Sequence, residues 1–119
     1  ASRDYLKERQ QFGEPLADFQ ALQFRLADMA TELDSARLMI HRGAWMLDNS
    51  AHGTIVAAAM AKRIATDTGF DVVNQALQLH GGYGYMMEYP VAHYFADSRV
   101  QMIYGGSNEI MKELISRSL

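Results

Sequence analysis

The stretch LADFQALQFRLADMATELDSARLMIHRGAWMLD, residues 16–48, sets the class of structure. Its apolar residues Leu22, Leu26, Met29, Leu33, Ala36 and Ile40 recur at alternating spacings of four and three. That period places them on one stripe of an α-helix, whereas a half-buried strand would alternate every second residue. A helix running from about Leu16 to about Asp48 has to bury that stripe against partners of comparable length, which is the pattern of a helix bundle.

The flanking sequence supplies the partners. NSAHGT, residues 49–54, reads as a turn, and a second long helix is expected at about 55–79. The first half of that helix, IVAAAMAKRIA, is rich in alanine, so a neighbouring backbone can approach it closely. On the other side, residues 2–10 (SRDYLKERQ) read as the last turns of a helix, which Gly13 and Pro15 of QFGEP interrupt. HGGYGY, residues 80–85, ends the second long helix with glycines suited to positive φ. Pro90 opens a further helix to about Tyr104, because proline is tolerated in a first turn. After the pair Gly105–Gly106 a last helix of about 108–117 follows. No strand pattern, internal repeat or linker interrupts the series. The expected architecture is all-α: one domain over residues 1–119, a bundle of long antiparallel helices. Its first helix is only a stub and cannot cover the apolar stripes of the long ones, so the sequence reads as a piece of something larger or as a subunit of an oligomer.

Composition narrows the function classes. About half of the 119 residues (49 %) are hydrophobic, which suits a single domain with a modest core. There is no cysteine, which excludes disulfides, zinc–cysteine sites and thiol nucleophiles. The net charge is −3 and the cations are scattered, so no basic stripe suggests nucleic acid. No apolar run has the length of a membrane span and the N-terminal residues lack a signal-peptide core, so an intracellular soluble protein is expected. The eight methionines point to adaptable helix packing.

Four stretches are candidates for chemistry. Histidines 41, 52, 80 and 93 form no ligand pair and no Glu-x-x-His occurs, so no metal site is expected. HGGYGY reads either as a helix end or as a glycine surface that lets a flat or anionic ligand reach the backbone; no strand precedes it, so it is not a dinucleotide fingerprint. In GGSNEI, Ser107 or Asn108 suits an N-cap, while Gly105 and Gly106 leave room before a helix terminus that favours anions. RQQFG, residues 9–13, places an arginine and an aromatic beside a turn.

Taken in order, RQQFGEPLADFQALQFRLADMA (9–30), AKRIATDTGFDVVNQALQLHGGYGY (61–85) and DSRVQMIYGGSNEIMKELISRSL (97–119) resemble the C-terminal helical domain of acyl-CoA dehydrogenases, nearest to isobutyryl-type and long-chain-type members. The resemblance runs from about Tyr5 to Leu119. It implies a four-helix-bundle domain with most of its first helix absent, in an FAD-dependent enzyme that introduces an α,β double bond into acyl-CoA thioesters. By position, it implies cofactor contacts at Arg9, Gln10, Gln11, Phe12, Phe19 and Gln20. It implies further contacts at Gln78, Gly81 and Gly82, which reach a neighbouring subunit's flavin, and at Ser107, Asn108 and Glu109. Gly106 and Arg117 fall on the substrate side. The implied partners are an acyl-CoA substrate, electron-transfer flavoprotein as acceptor, and further copies of the chain in a dimer or tetramer. The implied location is the cytoplasm of a bacterium or the mitochondrial matrix of a eukaryote.

Two positions depart from the family pattern. Many members carry the catalytic glutamate, which removes the α-proton, where this sequence has Gly105. A subgroup keeps glycine or alanine there and takes its base from the first helix, upstream of the RxxFG motif. No catalytic residue is therefore assigned within the 119 residues; Glu109 sits at a flavin-contact position instead. Close relatives usually place an arginine at Ala96, before Asp97 and Arg99, which puts one ion-pair contact in doubt. The rival reading is a helical assembly module without chemistry. Acyl chain length and branching are left open by the sequence.

Overall fold

The computed structural model describes residues 1–119. Helix α1 (Ser2–Glu8) ends where Arg9 turns extended, at φ −76° and ψ 128°. Instead of a simple turn, the chain then forms a small antiparallel hairpin, β1 (Gln10–Gln11) with β2 (Glu14–Pro15), in which Gln10 pairs with Pro15 and Gln11 with Glu14. The two residues between them, Phe12 and Gly13, both have positive φ (55° and 82°), the requirement of a tight two-residue hairpin turn. Sequence patterning offered no strand here because two residues are too few to show alternation.

Helices α2 (Gln20–Asp48) and α3 (Thr54–His80) are the long antiparallel pair. The expected α2 start at Leu16 moves to Gln20, since Leu16–Asp18 form a separate 3-10 turn capped by extended Phe19. Along α2 the buried residues are Met29, Ala36 and Gly43, seven apart, and this row faces α3. At Gly43 the helices approach closely: a side-chain Cβ there would lie 3.6 Å from the Ala57 carbonyl and from the Ala61 Cβ. The alanine-rich half of α3 therefore does what its composition suggested. Short helix α4 (Gly82–Tyr85) folds back on the end of α3, and α5 (Pro90–Arg99) continues as a 3-10 turn, Val100–Met102, short of the expected Tyr104. Helix α6 (Asn108–Ser116) closes the fold against α3. Thus α3 is the central rod, packed by every other helix.

The core is concentrated at one end, where Leu6 of α1 meets Met29, Val72 and Leu79; Leu6 alone is completely buried. Elsewhere the molecule is open. Its extents are 56 × 25 × 23 Å and its radius of gyration is 17.3 Å, against about 13.5 Å for a compact domain of this length. The two long helices, of 29 and 27 residues, set that length, and part of the α2 stripe lies bare along it. The row Leu33, Ile40 and Leu47, four residues on from the buried row, is 40 %, 47 % and 67 % exposed. The periodicity read from sequence is real, but in the second row only Leu26 packs on the core, while Leu33, Ile40 and Leu47 find no cover within the chain.

Candidate functional site

The end of the molecule that holds the core also holds a cleft of about 670 Å³, lined by the α1–hairpin junction, the start of α2 and the α3–α4 junction. Arg9 and Gln11 enter from one side and Gln78, Gly81 and Gly82 from the other. Tyr5 anchors the wall: its ring stacks on His80 with centroids 4.3 Å apart, and its hydroxyl donates to the His80 carbonyl at 3.2 Å. The buried His80 ring is held in turn by Nδ1, which donates to the Ala76 carbonyl at 2.8 Å. The Arg9 guanidinium lies 5.3 Å from the centroid of the Tyr83 ring, and Arg25 of α2 adds a second cation to the lining.

The three glycines at this junction do different work. Gly84 is buried, and a Cβ there would lie 2.4 Å from the Leu77 carbonyl oxygen, so packing requires glycine. Gly81 caps α3 with φ +60°, so the backbone requires it. Gly82 has neither constraint: its φ is ordinary, and a Cβ would meet no atom within 4 Å. The chain itself has no need of glycine at that position, which leaves its bare backbone available to something outside the chain.

A second cluster joins α3 to α6. Asn108 is 5 % exposed and donates through Nδ2 to Thr66 Oγ1 (2.9 Å) and Asp67 Oδ1 (2.7 Å), while its Oδ1 accepts from Lys62 Nζ at 2.7 Å. Lys62 Nζ also donates to the Gly106 carbonyl at 2.8 Å. Gly105 and Gly106 both have positive φ, 64° and 86°, so the pair is a backbone requirement of the reversal into α6. Ser107 is the N-cap, its Oγ accepting from the Ile110 N–H at 3.4 Å. Glu109 is exposed, and its carboxylate is held below the usual range, chiefly by its own backbone N–H, against the opposing effect of desolvation and with help from Ser107, Lys112 and Lys62.

The C-terminal domain model of the acyl-CoA dehydrogenases matches residues 1–119, the whole chain. The chain belongs to the acyl-CoA dehydrogenase family. It is similar to the mitochondrial isobutyryl-CoA dehydrogenase of Bos taurus, with 58 % identity over 99 % of this chain and 28 % of that protein. Its fold matches butyryl-CoA dehydrogenase of Megasphaera elsdenii with a TM-score of 0.95 and 39 % identity, over 98 % of this chain and 30 % of that one. It also matches the FAD complex of PigA, with a TM-score of 0.92 and 30 % identity over 98 % and 30 %. The chain thus spans under a third of the length of these relatives.

Against that family frame, the residues singled out from sequence fall into separate groups. Arg9, Gln11, Gln78, Gly81 and Gly82 meet in the cleft. Gln10 and Phe12 lie on the exposed hairpin beside it; Phe12 is 89 % exposed at a positive φ. Half-buried Phe19 and exposed Gln20 begin α2 outside the cleft lining. Gly106, Ser107, Asn108 and Glu109 belong to the second cluster, and Thr66 of that cluster is twelve residues from Gln78 on α3, about 18 Å along the helix axis. Arg117 is exposed at the end of α6 and pairs with Glu113. Sequence reasoning missed Tyr5, Arg25, His80 and Tyr83 in the cleft, and Lys62, Thr66 and Asp67 in the cluster. Arg25 was within reach, three residues from Leu22 on the same helical face. Lys62 and Thr66, at i and i+4 on α3, carried a similar signal. The Tyr5–His80 pair, 75 residues apart, carried none.

Proposed function

We propose that this 119-residue segment is the cofactor-contacting and oligomerising part of a larger flavin-dependent acyl-CoA dehydrogenase. The observation that carries the reading is the cleft whose glycine floor, at Gly82, has no use within the chain, with two arginines and two glutamines around it. Those donors suit FAD: guanidinium groups pair with a pyrophosphate, the glutamine amides offer donors and acceptors, and a bare backbone admits close approach. Arg9, Gln11, Gln78, Gly81 and Gly82 would hold it at this end. Phe12, an exposed aromatic on a strained hairpin tip, fits contact with the same ligand, with Gln10, Phe19 and Gln20 on its margin.

Ser107 and Glu109 would contact a flavin at the other cluster. The separation along α3 suits contributions to two flavins, one in the same subunit and one in a neighbour, as the family resemblance implies. When bound, FAD would take the hydride from the acyl β-carbon. This segment would orient it and floor the acyl site near Gly106, with Arg117 on the substrate side. The α-proton acceptor is placed outside the segment, because Gly105 has no side chain to accept a proton. The substrate is an acyl-CoA thioester, as in fatty-acid or branched-chain breakdown, and the acceptor an electron-transfer flavoprotein. A dimer or tetramer would cover the bare α2 row. No helix is long and apolar enough to cross a membrane; the cytoplasm of a bacterium or a mitochondrial matrix suits the relatives.

The assay is flavin content of the intact natural polypeptide and of its Gly82→Leu variant. The wild type should carry flavin near one equivalent per chain. The variant should keep its helical circular dichroism and lose flavin affinity at least about tenfold, because the leucine side chain points into open space inside the cleft and not into the core. A variant that retains full flavin refutes this use of the cleft. A colourless wild-type oligomer would favour the assembly-module reading.

A further inference from the structure

Asn108 poses a problem for any direct cofactor contact. Both hydrogens of its amide are given away, to Thr66 and Asp67, and its oxygen takes the Lys62 ammonium. The single hydroxyl proton of Thr66 goes to the Lys62 carbonyl at 3.0 Å, leaving the Thr66 oxygen free to accept from Asn108. The amide is buried and its donors are spent inside the chain.

The arrangement also has a direction. Lysine can only donate and an ionised aspartate can only accept, so the amide fits in one orientation alone, oxygen toward Lys62 and nitrogen toward Asp67. The same Lys62 ammonium holds the Gly106 carbonyl, inside the two-residue left-handed stretch that leads into α6. One cation therefore ties both the loop backbone and the first residue of α6 to the central rod. Ser107 and Glu109 flank Asn108, and their positions follow from it.

We propose that Lys62, Asp67 and Asn108 are positioning residues that fix the 105–109 loop and so present Ser107 and Glu109, Asn108 acting through this network and not by touching the cofactor with its amide. The consequence for flavin rests on the function proposed above; the fixing of the loop does not.

The test is a polarity swap in the intact natural polypeptide. Asn108→Asp sets two carboxylates face to face, and adding Asp67→Asn restores a donor facing an acceptor with the roles reversed. Two readouts are taken: amide hydrogen exchange over residues 107–111, and FAD affinity. In the single variant, exchange should quicken and FAD affinity fall by roughly tenfold to a hundredfold, the usual effect of losing hydrogen bonds between charged and polar groups. The double variant should return both to near wild type, which a role in space filling alone would not produce. Lys62→Gln, which introduces no new charge, should loosen the loop in the same sense and serves if Asn108→Asp fails to fold.

Unchanged exchange in Asn108→Asp and Lys62→Gln overturns the proposal, as does a double variant that stays as loose as the single. Exchange that follows the swap while FAD affinity stays flat refutes the link to flavin. A wild type that binds no FAD refutes the proposed function instead, and the exchange measurement still decides the loop.

Discussion

Replacing Gly84 by alanine tests the way the glycine turn is built onto α3. The added methyl carbon would sit 2.4 Å from the Leu77 carbonyl oxygen and 3.0 Å from the His80 Cβ. Ordinary contact needs nearly 1 Å more, and the obstructing atom is helix backbone, which cannot swing aside as a side-chain tip can. In an open helix the same change would gain up to about 1 kcal/mol from propensity. Here overpacking opposes that gain, and because the obstruction is backbone its upper range of about 2–3 kcal/mol applies, so a net loss of about 1–2 kcal/mol is expected. At the scale of a domain this size that is a fall of roughly 4–8 °C in Tm. Gly69→Ala is the internal control: it lies in α3, and its Cβ would meet nothing within 4 Å, so it should gain up to about 1 kcal/mol. Both variants would be compared by urea unfolding and thermal melting of the intact polypeptide. If Gly84→Ala were as stable as Gly69→Ala, the close packing of α4 on α3 would be wrong, and with it the placement of Gly81 and Gly82 on the cleft floor.

The exposed α2 row gives a second prediction: the isolated 119-residue chain should self-associate, and Ile40→Lys with Leu47→Lys should shift its sedimentation toward monomer without loss of helical signal. A wild-type chain already monomeric at high concentration would show that this row needs no cover. A third concerns Glu109, whose folded pKa lies below its ordinary value of 4.5. Its contribution to the first turn of α6 is thus present above the unfolded pKa and lost as pH falls through the lower folded one. A carboxyl resonance of Glu109 that titrates at or above the ordinary value would contradict the hydrogen bond to its own N–H.

The bundle was legible because a four-and-three spacing sustained over six apolar residues has one structural meaning, and both long helices form within a few residues of where it put them. The GGYGY segment was legible as a helix end but not as three glycines with three separate reasons. Positive φ at Gly81, a carbonyl pressed against Gly84, and open space at Gly82 look the same as letters. Asn108 shows the same limit. As an N-cap residue type after two glycines it resembled Ser107, yet only Ser107 caps, while Asn108 turns inward to Lys62 and Asp67, more than forty residues earlier.

By itself, then, the sequence determined the helices, their order and the family, because periodicity, glycine and proline placement and motif spacing are local properties that each segment carries with it. The tertiary structure decided which of the two apolar rows of α2 is covered, which motif residues share a cleft, and which are used up in holding the chain to itself. Those depend on distances between residues far apart in sequence, set by how closely α2 and α6 pack on α3, and no local pattern encodes them.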